Sequence, residues 1–127
     1  KVTKLQVYVE DVLAGRSPSN VIVAMANSSL SSPTRFGLVV VLDDPVRMSP
    51  NTSAGIVGRS QGHYAFVSLE ERVIHLSSDL VFSSGKYNGS SITIVGNNPY
   101  ERPHRELPVV GGTGEFRFVR GFVNLST

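Results

Sequence analysis

The sequence predicts an all-β chain folded as an antiparallel sandwich or barrel. Apolar residues recur at period two or in short β-branched runs, and turn-forming residues break these runs every 10 to 15 positions. No stretch carries the i, i+3, i+4 apolar spacing of an amphipathic helix. With 127 residues, 40% of them hydrophobic, residues 1–127 suit one domain around one core.

The elements follow in order. In "KLQVYVEDVL", Leu5, Val7 and Val9 alternate with Gln6, Tyr8 and Glu10, the pattern of a half-buried strand, and "AGRSPSN" turns it. "VIVAMANS" is a β-branched run closed by "SLSSPT". "RFGLVVVLDDPVRM" fills both faces with apolar residues until Asp43, Asp44 and Pro45, which are expected to stop it, since Asp-Pro initiates turns. Gly58 and Gly62 inside "AGIVGRSQGHYAFVSL" suggest bulges or bends of a curving sheet. "RVIHLSSDLVFSS" and "SSITIVGNN" flank "GKYNGS", a hairpin turn through Asn88-Gly89. A further strand is expected in "GFVNLST", which brings the count to seven.

Charge and composition narrow the chemistry. Twelve basic and ten acidic residues are scattered singly, without the Lys/Arg cluster that neutralises a row of phosphates, so no nucleic-acid partner is expected. The chain lacks cysteine, which removes disulfides and thiol chemistry. His63, His75 and His104 do not share metal-ligand spacing, and neither a metal nor another cofactor is expected. No apolar run approaches the roughly 20 residues of a membrane span, and Lys1 opens directly into alternation and not into a signal peptide, so a soluble, non-membrane chain is expected. Sequons stand at Asn27, Asn51, Asn88 and Asn124.

The stretch "HRELPVVGGTGEFRFVRGF" invites a phosphate-loop reading. Its glycines fit neither the P-loop nor the dinucleotide spacing, and Glu115 directly after Gly114 would repel phosphate. It reads instead as a corner: an extended entry, a glycine reversal, and one helical turn with Thr113 as N-cap, Glu115 in the first turn and Gly121 at C′. Phe116, Phe118 and Phe122 are expected in the core, and Arg105 and Glu106 could form an ion pair that holds the corner.

"FGLVVVLDDPV", "VGRSQGHYAF", "LVFSSGKYNGSSITIVG" and "RELPVVGGTGEFRFVRGF" resemble, in order and spacing, the successive motifs of the plant dirigent family. The resemblance covers nearly the whole chain. It implies an antiparallel eight-stranded up-and-down β-barrel, similar to that of the allene oxide cyclases, with a pocket at one mouth. By the same resemblance the protein is a homo-oligomer, a trimer or alternatively a dimer. The family's final strand has no counterpart after Thr127, leaving seven strands plus one absent.

Members of this family hold two phenylpropanoid radicals, made by a separate oxidase, so that they couple with one stereochemistry; related members eliminate water from an isoflavonoid alcohol through a quinone methide. Position by position, the resemblance implies ligand-binding roles for Asp11, Asp43, Tyr64 and Arg105. Two positions depart from it: Asn98, seven residues before Arg105, stands where those members usually have aspartate, and Phe66 where they often have a second tyrosine.

An amide is no general acid or base, although it hydrogen-bonds sugar hydroxyls well. Asp11, Asp43, Asn98 and Arg105 beside Tyr64 or Phe66 are therefore read first as a non-catalytic site for a small carbohydrate, guessed to be a galactoside-type glycan, in plant defence. The context offered by the resemblance is the cytosolic chimera of a dirigent domain with a jacalin-related lectin domain. The alternative is stereoselective coupling of a phenolic ligand in lignan formation, with an extracellular (apoplast) setting. A third reading is assembly through barrel edges.

Overall fold

The computed structural model describes residues 2–127 and holds eight strands: β1 (Tyr8–Val9), β2 (Asn20–Ala24), β3 (Val39–Arg47), β4 (Gly58–Phe66), β5 (Ile74–Phe82), β6 (Ser91–Asn98), β7 (His104–Thr113) and β8 (Gly121–Ser126). Every ladder is antiparallel. From β3 to β8 each strand pairs with its successor, while β1 and β2 lie end to end along the free side of β3. This is the up-and-down order expected of the barrel. Among the described residues no ladder joins β8 to β1 or β2, so the sheet is a curled half-barrel with an open seam.

The count of eight is reached at β7 and not after Thr127: the stretch expected as an extended entry and a glycine reversal is one ten-residue strand that runs through Gly111 and Gly112 to Thr113. The alternation in "KLQVYVEDVL" yields only two paired residues, Tyr8 opposite Arg47 and Val9 opposite Val46. Of Leu5, Val7 and Val9, only Val7 packs against the core. Asp43, Asp44 and Pro45 do not stop β3, which runs on to Arg47. The Pro45 carbonyl accepts from Glu10 N–H at 3.2 Å, which puts the nitrogen that lacks a hydrogen on the same side, between the short β1 and β2.

Along β3 the alternation holds as far as Asp44: Val40, Leu42, Asp44 and Val46 are buried on the inner face and Val41 and Asp43 are exposed on the outer one, while Pro45, out of phase, is buried too. Gly58 and Gly62 keep regular register with Phe82 and Ser78, so neither is a bulge. A Cβ on Gly62 would drive into the Ser77 carbonyl oxygen, and one on Gly58 into that of Val81. These glycines let β5 approach β4 as the sheet curls. The one irregularity between β6 and β7 falls at Thr93/Ile94, where Val109 and Gly111 flank an unpaired Val110.

The core lies toward one end of the inner face, where Phe82, Ile92, Ile94, Leu107 and Phe116 pack with Val7, Leu76, Leu80, Val109 and Val123 around them. Leu107 is fully buried, worth about 1.5–3 kcal/mol. Tyr87 packs on Phe116 with ring centroids 4.8 Å apart. The "GKYNGS" hairpin forms as a 3-10 turn, Gly85–Tyr87, followed by a reversal through Asn88 and Gly89, the latter at φ 82°.

The glycine-rich corner contains one helical turn, Gly114–Phe116, of 3-10 type. Thr113 makes no capping hydrogen bond; the Glu115 N–H is taken by Ser90 Oγ at 2.9 Å, and Gly121 opens β8 instead of ending the turn. Phe116 is core as expected, whereas Phe118 is 91% and Phe122 61% exposed. Phe118 adopts φ 64°, which turns its side chain outward.

Gly62→Ala is expected to lower stability by roughly 1–3 kcal/mol, because backbone must move to admit the methyl group. Gly55→Ala, where a Cβ meets nothing within 4 Å, serves as the near-neutral control in the same denaturation experiment.

Candidate functional site

The inner face carries two polar clusters joined by aromatic rings. The first is built on Asp44, 2% exposed in the middle of β3. The Ser19 hydroxyl donates to Asp44 Oδ1, and Asn20 Nδ2 donates to the same oxygen at 2.7 Å. Asn20 Nδ2 also lies 3.4 Å from Asp11 Oδ1, while Asn20 Oδ1 accepts from the Tyr64 hydroxyl at 3.1 Å. One amide thus ties two carboxyls and a phenol together. Ser19 Oγ further accepts from Val12 N–H at 2.7 Å, fixing the loop between Asp11 and Asn20.

Burial pushes the Asp44 carboxyl up to about 7, aided by proton sharing with Asp11 and by the Asp11 charge; the bonds from Ser19 and Asn20 oppose the rise. Burial likewise raises the Tyr64 phenol to about 12, with the charges of Asp11 and Asp44 adding to it. Asp44 therefore changes protonation near neutrality while Tyr64 stays a hydrogen-bond donor.

The aromatic run starts at Tyr64. Its ring meets Phe66 edge-on at 5.9 Å, and Phe66 meets Tyr100 in the same way at 5.9 Å. Phe66 pairs with Ile74, and Ile74 with Asn98, which places the second cluster at the end of the sheet where β6 turns into β7. There Asn98, 5% exposed, accepts from Arg105 Nε at 3.1 Å. Arg105 Nη1 donates to Arg102 O at 3.1 Å and to Thr127 Oγ1 at 3.3 Å.

Of the residues expected at the site, Asp11, Tyr64, Phe66, Asn98 and Arg105 line this arrangement. Asp43 does not: one position out of phase, it faces outward and accepts from Arg59 Nε at 2.8 Å. The reason is the period of two, which turns the second aspartate of "LDDP" inward. Ser19, Asn20, Asp44 and Tyr100 escaped the sequence reading. Asp44 shares parity with Val40, Leu42 and Val46, and this signal was masked by reading Asp-Asp-Pro as a turn. Glu106 is exposed on the other face from buried Arg105 and forms no ion pair with it. Among the described residues no three His, Asp or Glu side chains gather as metal ligands.

A family model described as "Dirigent-like protein" matches residues 2–127. The chain belongs to the dirigent family. It is 40% identical over 122 residues to Dirigent protein 1 of Arabidopsis thaliana and 42% identical over 123 residues to Pterocarpan synthase 1 of Glycyrrhiza echinata, each alignment covering 96% of the chain. The dirigent chain spans about two thirds of the length of these relatives, 67% and 65%. Among solved structures, the pterocarpan synthase dirigent protein GePTS1 superposes with a TM-score of 0.80 at 38% identity, over 95% of this chain and 75% of that one. PsPTS1, another pterocarpan synthase dirigent protein, gives 0.82 at 36%, over 97% and 83%.

Because the folded pKa of Asp44 lies above its ordinary 3.8, the native state binds the proton more tightly, and this contribution is complete below pH 3.8 and lost as pH rises through about 7. Relative to Asp44→Asn, the dirigent chain should lose stability across that window, by about 4 kcal/mol at most, and its melting temperature should fall with it. Parallel melts at pH 4 and 8 measure the difference.

Proposed function

We propose that the inner face binds a phenolic ligand and governs its stereochemical outcome, with Asp44 and Asp11 as proton-exchanging partners of a ligand hydroxyl. The observation that carries this reading is the buried carboxyl at about 7, held beside a second carboxyl through Asn20 and next to the aromatic run Tyr64, Phe66 and Tyr100. Rings on that run hold a planar phenol, and a carboxyl that titrates near neutrality can accept the phenolic proton or return it. The names of the relatives agree with chemistry on phenolic compounds. Within this reading, the protein orients phenylpropanoid radicals generated by a separate oxidant so that they couple from one face.

A second reading, elimination of water from an isoflavonoid alcohol, is favoured by the same carboxyl. In its protonated form Asp44 can give a proton to a departing hydroxyl. The carbohydrate reading leaned on Asn98 as a bridge between sugar hydroxyls. Its carbonyl oxygen already accepts from Arg105 Nε, so only one of its two lone pairs remains for a sugar hydroxyl.

Coniferyl alcohol oxidised by a laccase beside the protein should give a coupled product with enantiomeric excess on chiral chromatography. Asp44→Asn should reduce the excess to near zero, while Asp43→Asn, on the outer face, should keep it. A racemic product beside the wild-type chain overturns the coupling reading, and dehydration of an isoflavanol by the same preparation would install the second in its place.

A further inference from the structure

Arg105 is 8% exposed and has no acidic partner. The three ion pairs among the described residues join Arg47 to Glu10, Arg59 to Asp43 and Arg72 to Glu101, all with more exposed arginines, and no carboxylate lies within 4.0 Å of Arg105. Its three acceptors, Asn98 Oδ1, Arg102 O and Thr127 Oγ1, are all neutral and leave Nη2 without one. Asn98 Nδ2 likewise meets no protein acceptor. Among the described residues no fully enclosed polar side-chain atom lacks a hydrogen bond, so both nitrogens open onto accessible space. Because Oδ1 is committed to Arg105 Nε, the Asn98 amide is oriented with its donors outward.

A guanidinium this buried without counter-charge carries a desolvation cost that its neutral acceptors offset only in part, and an anion at the open Nη2 would offset more of it. We infer that Arg105 and Asn98 form a subsite for the carboxylate of an aromatic acid, with Arg105 Nη2 and Asn98 Nδ2 as the donors. This inference rests on the phenolic reading above and names the ligand class within it. Asn98 sits in the same cross-strand row as Phe66, so a carboxylate held there has its ring against Phe66 and Tyr100. The far end of such a ligand points along the aromatic run toward Tyr64 and the Asp11–Asp44 cluster. A hydroxycinnamic acid, ionised at neutral pH, has a phenol at one end and a carboxylate at the other, a group of the kind each cluster would recognise. An arginine is suited to the carboxylate end because its planar fork grips two oxygens.

Calorimetric titration of the chain at pH 7 with 4-hydroxycinnamate and with 4-hydroxycinnamyl alcohol compares a carboxylate with a neutral carbinol on the same ring. The acid should bind tighter by about tenfold or more, the yield of one charge-assisted hydrogen bond. Asn98→Asp, nearly isosteric, supplies the missing negative charge internally and should abolish the preference for the acid. Circular dichroism confirms that the variant is folded, and the wild-type comparison stands by itself if it is not. Equal binding of acid and alcohol by the wild type overturns the inference and leaves the phenolic reading intact. Failure of both to bind overturns the two together. A folded Asn98→Asp variant that keeps the acid preference also overturns the inference.

Discussion

A carboxyl group buried in the middle of β3 holds the N-terminal part of the molecule together. β1 contributes two paired residues and β2 only four, with Val21, Ile22 and Val23 of β2 largely exposed, so neither strand is anchored by apolar burial. What fixes them is polar: Ser19 and Asn20, at the start of β2, donate to Asp44, Ser19 also captures Val12 N–H, and next to β1 Glu10 donates its N–H to Pro45 O and pairs with Arg47. A buried carboxyl must be hydrogen-bonded or neutral, and here it is both bonded and shifted toward neutrality. The group that organises the edge is thus the group that titrates near pH 7.

The division of labour along the inner face follows from this. Toward one end, Phe82, Ile92, Leu107 and Phe116 close the sheet with apolar packing. Farther along, Ser60 and Ser78 bond to each other at 2.7 Å, and Asp44 stands opposite Ser60 in register. At the other end, Asn98 and Arg105 occupy places where core aliphatics would otherwise extend the apolar floor. Stability comes from the first region, and the polar groups of the others carry hydrogen bonds that apolar side chains of the same size would not require.

The strands were legible because an antiparallel sheet with one buried face writes a period of two into its sequence, and β4, β5, β6 and β8 appear where that period and the turn residues put them; β7 was legible only as an extended entry, because Gly111 and Gly112 at its end read as a reversal. The N-terminal edge was less legible, since "KLQVYVEDVL" has the alternation of a strand but only a two-residue partner segment on β3. At the site, the choice between Asp43 and Asp44 depended on whether β3 continues through Pro45. That is decided by the gap between β1 and β2, a tertiary fact which leaves a missing N–H without cost. Ser19 and Asn20 could not be read locally at all: their partner lies 24 to 25 residues away. Phe118 misled for the opposite reason, because a left-handed backbone reverses the side chain that composition would bury.

Electrostatics across the inner face are asymmetric in a way that neither cluster shows alone. Asp11 and Asp44 are two acids within one hydrogen-bond network, and their mutual repulsion helps keep one of them protonated. Arg105 is a cation surrounded by neutral acceptors, so nothing in its own cluster compensates it. Tyr64, Phe66 and Tyr100 stand between the two and keep them from neutralising each other directly. A carboxylate at position 98 would close the charge balance at the cationic end and leave a face on which only the acid pair acts. With an amide there, no protein carboxylate closes that balance, and the two ends of the face carry opposite electrostatic demands.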